Sequence, residues 1–428
     1  MNGTKATRRG DGSGMISFLF CLLYFTSYMT RKSFGAIKLG LPEGWLSDEQ
    51  IGLIGSALFF AYGAGQLVSG VLGDRLPPIA LVCVGLGGAV LCNLLMPMLY
   101  PSVYWMALVW GVNGFFQSLI RPPLGRIIAA NYDEKGYIDT CVAVSNSSQV
   151  ATVLVYLIIP LCLRLFDREW WPAFYLPVAV GLVTLGFWLL LVPKLCAETV
   201  NPAEADTANA NREESRPEPL WPLLCRSGLL IMIPAVLIHG LLRDGITAWM
   251  PDFISEVGGL GTSVSILTTA ILPIFCIVCV LLAKRICSAL PSDGVSSALL
   301  FGVCTASAAG ILPLLDHVTP VTFVITVILM ALITGCMHGV NHIFITRIPG
   351  AFKQVGRVSG IVGILNAITY LGGALSPYAV ALVAARGGWG RAVLLWTVLA
   401  ALSVALCFAA CRKWNRFKKN GVLTGPNK

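Results

Sequence analysis

Arg31 and Arg243 are the residues most out of place in this sequence. Each stands inside an apolar run, "LLYFTSYMTRKSFGAI" at 22–37 and "IHGLLRDGITAWM" at 238–250. An arginine at the centre of a membrane helix costs roughly 2.5–3.5 kcal/mol on insertion scales. A guanidinium offers a planar fork of donors that matches the oxygens of a phosphate or carboxylate. Two such groups could form a two-armed clamp for an anion. The structural alternative is that each snorkels to an interface or ties helices together through a carboxylate. The run 16–38 contains no acid, and Asp244 follows Arg243 directly. Successive helical residues point about 100° apart, so Asp244 is expected to be a poor partner.

Tyr24, Tyr28 and Arg31 recur at i, i+4 and i+7 and so share one helix face. Phenols beside a guanidinium would make a polar wall, with rings against the organic part of a ligand; the alternative is an aromatic belt at the membrane surface. In "NGFFQSLIRPPLGR" at 113–126 the paired prolines should kink or break a helix just after Arg121. Arg121 either adds positive potential to a cavity or snorkels. "SNSSQV" at 145–150 is read as small-residue glue between helices, with Gln149 reaching furthest toward a cavity. His239 lies one turn before Arg243 and is either a proton or substrate contact or a hydrogen-bonded interhelical histidine. His338, Asn341 and His342 lack further Cys or carboxylate partners, so no metal is expected. "GVLGDRL" at 70–76 places Asp74 and Arg75 at a helix end, where they could lock a gate through charge pairs.

The elements that must position these residues are long and apolar. Of 428 residues 56% are hydrophobic and 12% charged, with a mean hydropathy of +0.78, far more oil than a soluble domain needs. About 20 apolar residues span a bilayer. Twelve spans are expected, at 16–38, 50–73, 79–98, 103–130, 138–163, 171–192, 224–250, 263–284, 296–315, 319–346, 354–385 and 390–411. They lack the alternation of barrel strands, which leaves an all-α membrane protein. The first span is read as retained rather than as a signal peptide. The 14 cysteines scatter through apolar segments and read as small buried hydrophobes.

The net charge of +9 does not point to nucleic acid, because no stretch outside the membrane interleaves basic and aromatic residues. Lys5, Arg8 and Arg9, Lys194, Arg212, Arg216 and Arg226, Lys284 and Arg285, and the run from Arg412 to Lys419 all fall on one side of twelve spans. Excess positive charge marks the cytoplasmic face, so both termini and the long middle loop are expected inside. That loop, 193–222, is Pro-, Glu- and Asn-rich and reads as a linker. It separates an N-terminal six-helix half, 1–192, from a C-terminal half, 223–428, with a basic tail. Arg31 lies 31 − 16 = 15 residues from the start of its apolar run and Arg243 lies 243 − 229 = 14 from Leu229. Related halves would bring them face to face across a central cavity.

These strings resemble a known family. The "YMTRK" of the first span, "GDR" after the second, "GFFQ" and "PPLGR" in the fourth, "LLRDGITAWMPDFI" in the seventh and "GILNAITYLGG" in the eleventh are similar to the organophosphate:inorganic phosphate antiporters of the major facilitator superfamily. The resemblance spans nearly the whole chain and implies the major facilitator fold. It implies that Arg31 and Arg243 grip a phosphate and that Tyr24 and Tyr28 line the same pocket. It also shows departures. A histidine of the glycerol-phosphate members corresponds to Gln149, a lysine of the second span to Gln66, an aspartate of the seventh to Ala248 and an acid of the eighth to about Thr268, whereas Asp244 and Arg121 are extra.

What the resemblance implies is a secondary transporter in a cell membrane, plasma or inner. Its substrate would be a small organic anion, foremost a sugar or glycerol phosphate, exchanged for inorganic phosphate. A dianion balances two arginines, and an empty doubly cationic site should resist reorienting. The rivals are a proton-coupled carboxylate transporter, for a hexuronate for example, working through His239 or His338, and a transport-inactive sugar-phosphate sensor. No nucleophile–base pair is present, so an enzyme is not expected. No cofactor is expected, and the partners are the anion, phosphate or protons, and the lipid bilayer around a monomer.

Overall fold

The computed structural model describes residues 12–37, 46, 48–165, 170–196, 219–259, 272–290, 292–317 and 319–420. Every regular element among them is helical. In order they are α1 (Gly12–Ile37), α2 (Asp48–Arg75), α3 (Pro78–Leu95), α4 (Val103–Ser118), α5 (Arg121–Asn131), α6 (Glu134–Leu165) and α7 (Pro172–Leu195). Then follow α8 (Leu220–Ser227), α9 (Leu229–Gly258), α10 (Leu272–Ala289), α11 (Asp293–Leu315), α12 (Pro320–His342) and α13 (Val358–Asn420). The linker expected at 193–222 lies, from 197 to 218, outside the described residues, as do Lys5, Arg8, Arg9 and Thr268.

Local chemistry explains the boundaries. Proline opens α3, α7 and α12, where its missing N–H costs nothing. Ser292 caps α11 by accepting from the Gly294 N–H, and Thr319 and Thr322 form a reciprocal capping box on α12. Gly228, at φ 80, separates α8 from α9. The last two expected spans appear as the single element α13, with Gly388 at φ 67 inside it. A left-handed residue interrupts α repetition, so the two spans meet at a glycine without an intervening loop.

Among the described residues nine helices are long and apolar enough to cross a membrane. The expected spans at 16–38, 138–163 and 263–284 are not among them. Two are nevertheless helices, α1 and α6, which carry the polar runs "TRK" and "SNSSQ"; the start of the third lies outside the described residues. Large apolar side chains point outward, Phe60 being 78% exposed, as lipid-facing surfaces require.

The chain divides into two compact units, Met1–Pro217 with Val355–Ile364, and Glu218–Gln354 with Leu365–Lys428. The core of the first unit gathers Met29 and Phe34 of α1 with Ile54, Leu58, Trp110 and Phe174. Phe34 and Trp110 rings lie 5.7 Å apart, and Trp110 meets Phe174 edge-on at 5.9 Å. Residues 355–364, read from sequence as part of the C-terminal half, pack on α2 in the first unit. Gly70 and Gly363 make this possible, since a Cβ on Gly363 would stand 2.6 Å from the Gln66 carbonyl oxygen and 2.7 Å from the Gly70 Cα.

Candidate functional site

In the first unit, one side of α1 is bolted down so that the other can present charge. Ser27 donates to Gln117 Oε1 on α4 at 2.6 Å, and Gln117 Nε2 donates to Thr30 Oγ1 at 2.8 Å and to the Ser27 carbonyl at 3.0 Å. Ser33 donates to Asn93 on α3, Asn93 donates to the Thr30 carbonyl, and Thr26 shares a 2.8 Å bond with Thr184 on α7. Thr26, Thr30 and Ser33 lie on the side of α1 away from Tyr24, Tyr28 and Arg31, with Ser27 at the edge between the two sides, so satisfying these hydroxyls sets the rotation of the helix.

On the presented side Arg31 is 7% exposed. Its Cζ sits 3.7 Å from the ring centroid of Tyr62 on α2 and 5.4 Å from that of Tyr28. Tyr24 and Tyr28 rings are 5.2 Å apart, and Arg121 Cζ lies 5.6 Å from the Tyr24 ring. Two buried cations thus flank one tyrosine stripe, held by cation–π contacts. The fourth expected span is broken at Leu119–Ile120, and Arg121 opens α5 rather than preceding the break. Pro122 and Pro123 occupy the first turn, where prolines are tolerated, so the interruption moves upstream of them. The snorkelling alternative for Arg121 does not hold, because it is 5% exposed and neighbours Tyr137 and Cys141 of α6.

The "SNSSQ" run keeps its serine hydroxyl bonds within its own helix, while Ser148 is buried. Ser145, Ser147 and Ser148 each donate to a carbonyl of their own helix, at 2.8, 2.8 and 2.6 Å. Gln149 is half-buried on α6.

In the second unit, Arg243 on α9 is also buried, and its partners are on the page. Its Nε donates to Asp244 Oδ1 and its Nη2 to Asp244 Oδ2, both at 2.8 Å, a bidentate ion pair. The expectation that Asp244 is a poor partner is overturned, because the long arginine side chain folds back across the 100° between neighbouring residues. Arg243 Nη1 donates to Asn341 Oδ1 on α12 at 3.0 Å, and Cζ lies 5.3 Å from the Tyr370 ring on α13. A Cβ on Gly373 would collide with the Asp244 carboxylate, so a glycine on α13 leaves room for it. His239 is fully buried, with Nε2 3.0 Å from the Met337 carbonyl oxygen and its ring edge-on to Phe344. It therefore joins α9 to α12, as the interhelical reading requires. Among the described residues no group of three His, Cys, Asp or Glu could hold a metal.

Asp74 ends α2 and caps another helix. Its Oδ2 accepts the Gly360 N–H at 3.0 Å in the first turn of α13 and lies 3.7 Å from Arg357 Nη1. A carboxylate there meets the positive end of the helix dipole. Arg126 braces the same corner by donating to the Gly73 carbonyl at 2.8 Å, and Arg75 is exposed. Tyr62 and Tyr370, not singled out in the sequence, join Tyr28 as aromatic neighbours of the two arginines. Their one signal is helical spacing, with Tyr62 one turn before Gln66.

The sequence pattern of the Major Facilitator Superfamily matches residues 20–364. A probable hexose phosphate transport protein of Chlamydia pneumoniae is 31% identical over 174 residues, 40% of this chain and 37% of that one. The glycerol-3-phosphate transporter of Bacillus subtilis is 26% identical over 255 residues, 55% and 56% of the two chains. The membrane sensor protein UhpC of Salmonella typhimurium is 29% identical over 191 residues, 39% and 41%. The chain thus spans about half the length, or less, of the curated relatives it matches. Among solved structures, the fucose:proton symporter FucP of E. coli superposes with a TM-score of 0.68 at 15% identity, covering 95% of this chain and 99% of that one. The chain belongs to the Major Facilitator Superfamily, a family of transporters and not of enzymes.

Proposed function

We propose that this protein is a secondary transporter of small phosphate esters, sugar or glycerol phosphates, exchanged for inorganic phosphate by alternating access. One observation carries the reading. Each unit buries one arginine on the first long helix of its half, Arg31 on α1 and Arg243 on α9, against a tyrosine from another helix. Each is suited to grip a phosphate, whose dianion offers two charges where a monocarboxylate offers one. Electrostatic attraction in a low-dielectric site makes that difference worth kilocalories. Tyr24, Tyr28 and Gln149 flank the organic part, and Arg121 supplies a third positive charge. The names of the relatives, a hexose phosphate transport protein and a glycerol-3-phosphate transporter, support the same substrate class.

The division into 1–192 and 223–428 with a cytoplasmic linker at 193–222, a cell-membrane location with both termini inside, and a monomeric carrier complete the proposal. Asp74, with Arg75 beside it, forms the gate on the cytoplasmic side by holding the first turn of α13. A proton-coupled carboxylate carrier is the weaker reading, because the ring nitrogen of His239 already serves the Met337 carbonyl. A sensor is kept in view by the similarity to UhpC.

Purified protein in lipid vesicles provides the test, with radiolabelled glycerol 3-phosphate and glucose 6-phosphate as probes. Inorganic phosphate should block uptake of at least one ester, and a proton ionophore should leave it unchanged. Uptake abolished by the ionophore would sink the reading in favour of proton coupling. Phosphate binding without any uptake would instead assign a sensor.

A further inference from the structure

The Asp244 carboxylate occupies the Nε–Nη2 edge of the Arg243 fork, a bidentate edge that an oxyanion would use. The pair is no surface ornament. Arg243 is 8% exposed, its third nitrogen is engaged by Asn341, and the Asp244 side chain is 33% accessible over Gly373. Asp244 thus resembles a ligand that is covalently attached, charged like the substrate's head group and seated on the same guanidinium.

We infer that Asp244 is a built-in counter-anion that stands in for substrate at Arg243, so that the unloaded carrier is charge-compensated there and can reorient empty. The inference rests on the transport of phosphate esters proposed above and changes its mode. An arginine that lacks a counter-charge in a low-dielectric site would resist crossing between states without an anion, which enforces strict exchange. At Arg243 a carboxylate removes that resistance. Two consequences follow. Substrate must compete with Asp244, so affinity is held below what the fork could give. The carrier also performs net transport beside exchange, because Arg243 does not hold its empty form back.

The test uses the full chain in lipid vesicles with radiolabelled inorganic phosphate as probe. Binding affinity is measured, and efflux from loaded vesicles is compared between phosphate-free medium and medium containing phosphate. Asp244→Asn keeps the shape and removes the charge. It should bind phosphate about tenfold more tightly and show a ratio of net efflux to exchange about tenfold lower than the unaltered protein. Gly373→Ala crowds the carboxylate off its seat while keeping its charge and should move both readouts the same way, which covers the case of an Asp244→Asn protein that does not fold. If the unaltered protein binds phosphate and either readout is unchanged in the variant that folds, the inference is wrong and the transport proposal survives. If neither the unaltered protein nor the variants bind phosphate, the transport proposal itself fails and the inference falls with it.

Discussion

Replacing Gln117 by leucine tests whether the side of α1 without charge governs the side with it. Gln117 is 2% exposed and makes three bonds to α1, one accepted from Ser27 Oγ at 2.6 Å and two donated, to Thr30 Oγ1 at 2.8 Å and the Ser27 carbonyl at 3.0 Å. Interhelical hydrogen bonds in membranes average about 0.6 kcal/mol, so three sum to about 2 kcal/mol. Leucine fills nearly the same volume, so the loss is polar rather than steric. It leaves the Ser27 hydroxyl without its acceptor on α4 and frees the helix to turn. Arg31 follows that turn, since it stands one residue after Thr30 on the same backbone. The expected outcome is a fall of a few degrees in Tm with phosphate affinity weakened about tenfold or more. Gln117→Asn, which keeps the amide but shortens its reach, should fall between the two. Thermal unfolding in detergent and phosphate binding to the same sample read both quantities. Unchanged affinity with a lowered Tm would refute the idea that these bonds position Arg31, and would leave them a purely stabilising role.

Arg31→Lys and Arg243→Lys should each abolish or severely reduce phosphate-ester uptake at normal expression, because lysine is a point charge without the fork; near-normal uptake in either would remove that residue from the site. Tyr62→Leu removes the ring 3.7 Å from Arg31, a desolvated cation–π contact of about 2 kcal/mol, and phosphate affinity should drop up to about thirtyfold. Asp293→Asn breaks a buried cluster in which Arg347 Nε lies 2.6 Å from Oδ1 while Trp414 and Lys418 donate to Oδ2 at 3.1 and 3.4 Å. It should cost about 3–5 kcal/mol and lower Tm sharply, whereas Lys418→Met, at the 43% exposed member, should change Tm little. Gly363→Ala, whose methyl would meet backbone of α2 that cannot yield, should destabilise the protein by about 1–3 kcal/mol in the same thermal assay.

Charge in oil is the loudest signal a membrane sequence carries, which is why Arg31 and Arg243 stand out in the sequence, and both are buried in the structure. The helical character of the spans was legible for the same reason, as length and apolarity leave few alternatives to a helix. What escaped depends on side-chain reach and on neighbours far along the chain. Asp244 looks a poor partner because backbone geometry points adjacent residues apart, yet an arginine has enough rotatable bonds to fold back. Tyr62 and Tyr370 looked like any aromatic in an apolar run, since nothing local tells a ring that faces lipid from one that faces a guanidinium. The serines at 145–148 look the same on paper whether they bond a neighbouring helix or their own carbonyls. Arg121 stands on the other side of its helix break because a proline costs a backbone hydrogen bond inside a helix but nothing in its first turn.

One irregular stretch ties two distant charges to a common screw thread. After α12 the chain winds through a π-helical turn, Ile343–Arg347, before resuming α geometry. Asn341, just upstream, holds Arg243, while Arg347, at its end, holds Asp293. A π turn takes up one residue more than an α turn, and each α residue advances the helix by about 100°. Rewinding that stretch to α would swing Arg347 by that angle while Asn341 stayed still. The grip on Asp293 and the grip on Arg243 are therefore cut to one pitch, and neither can be re-indexed without the other losing its register.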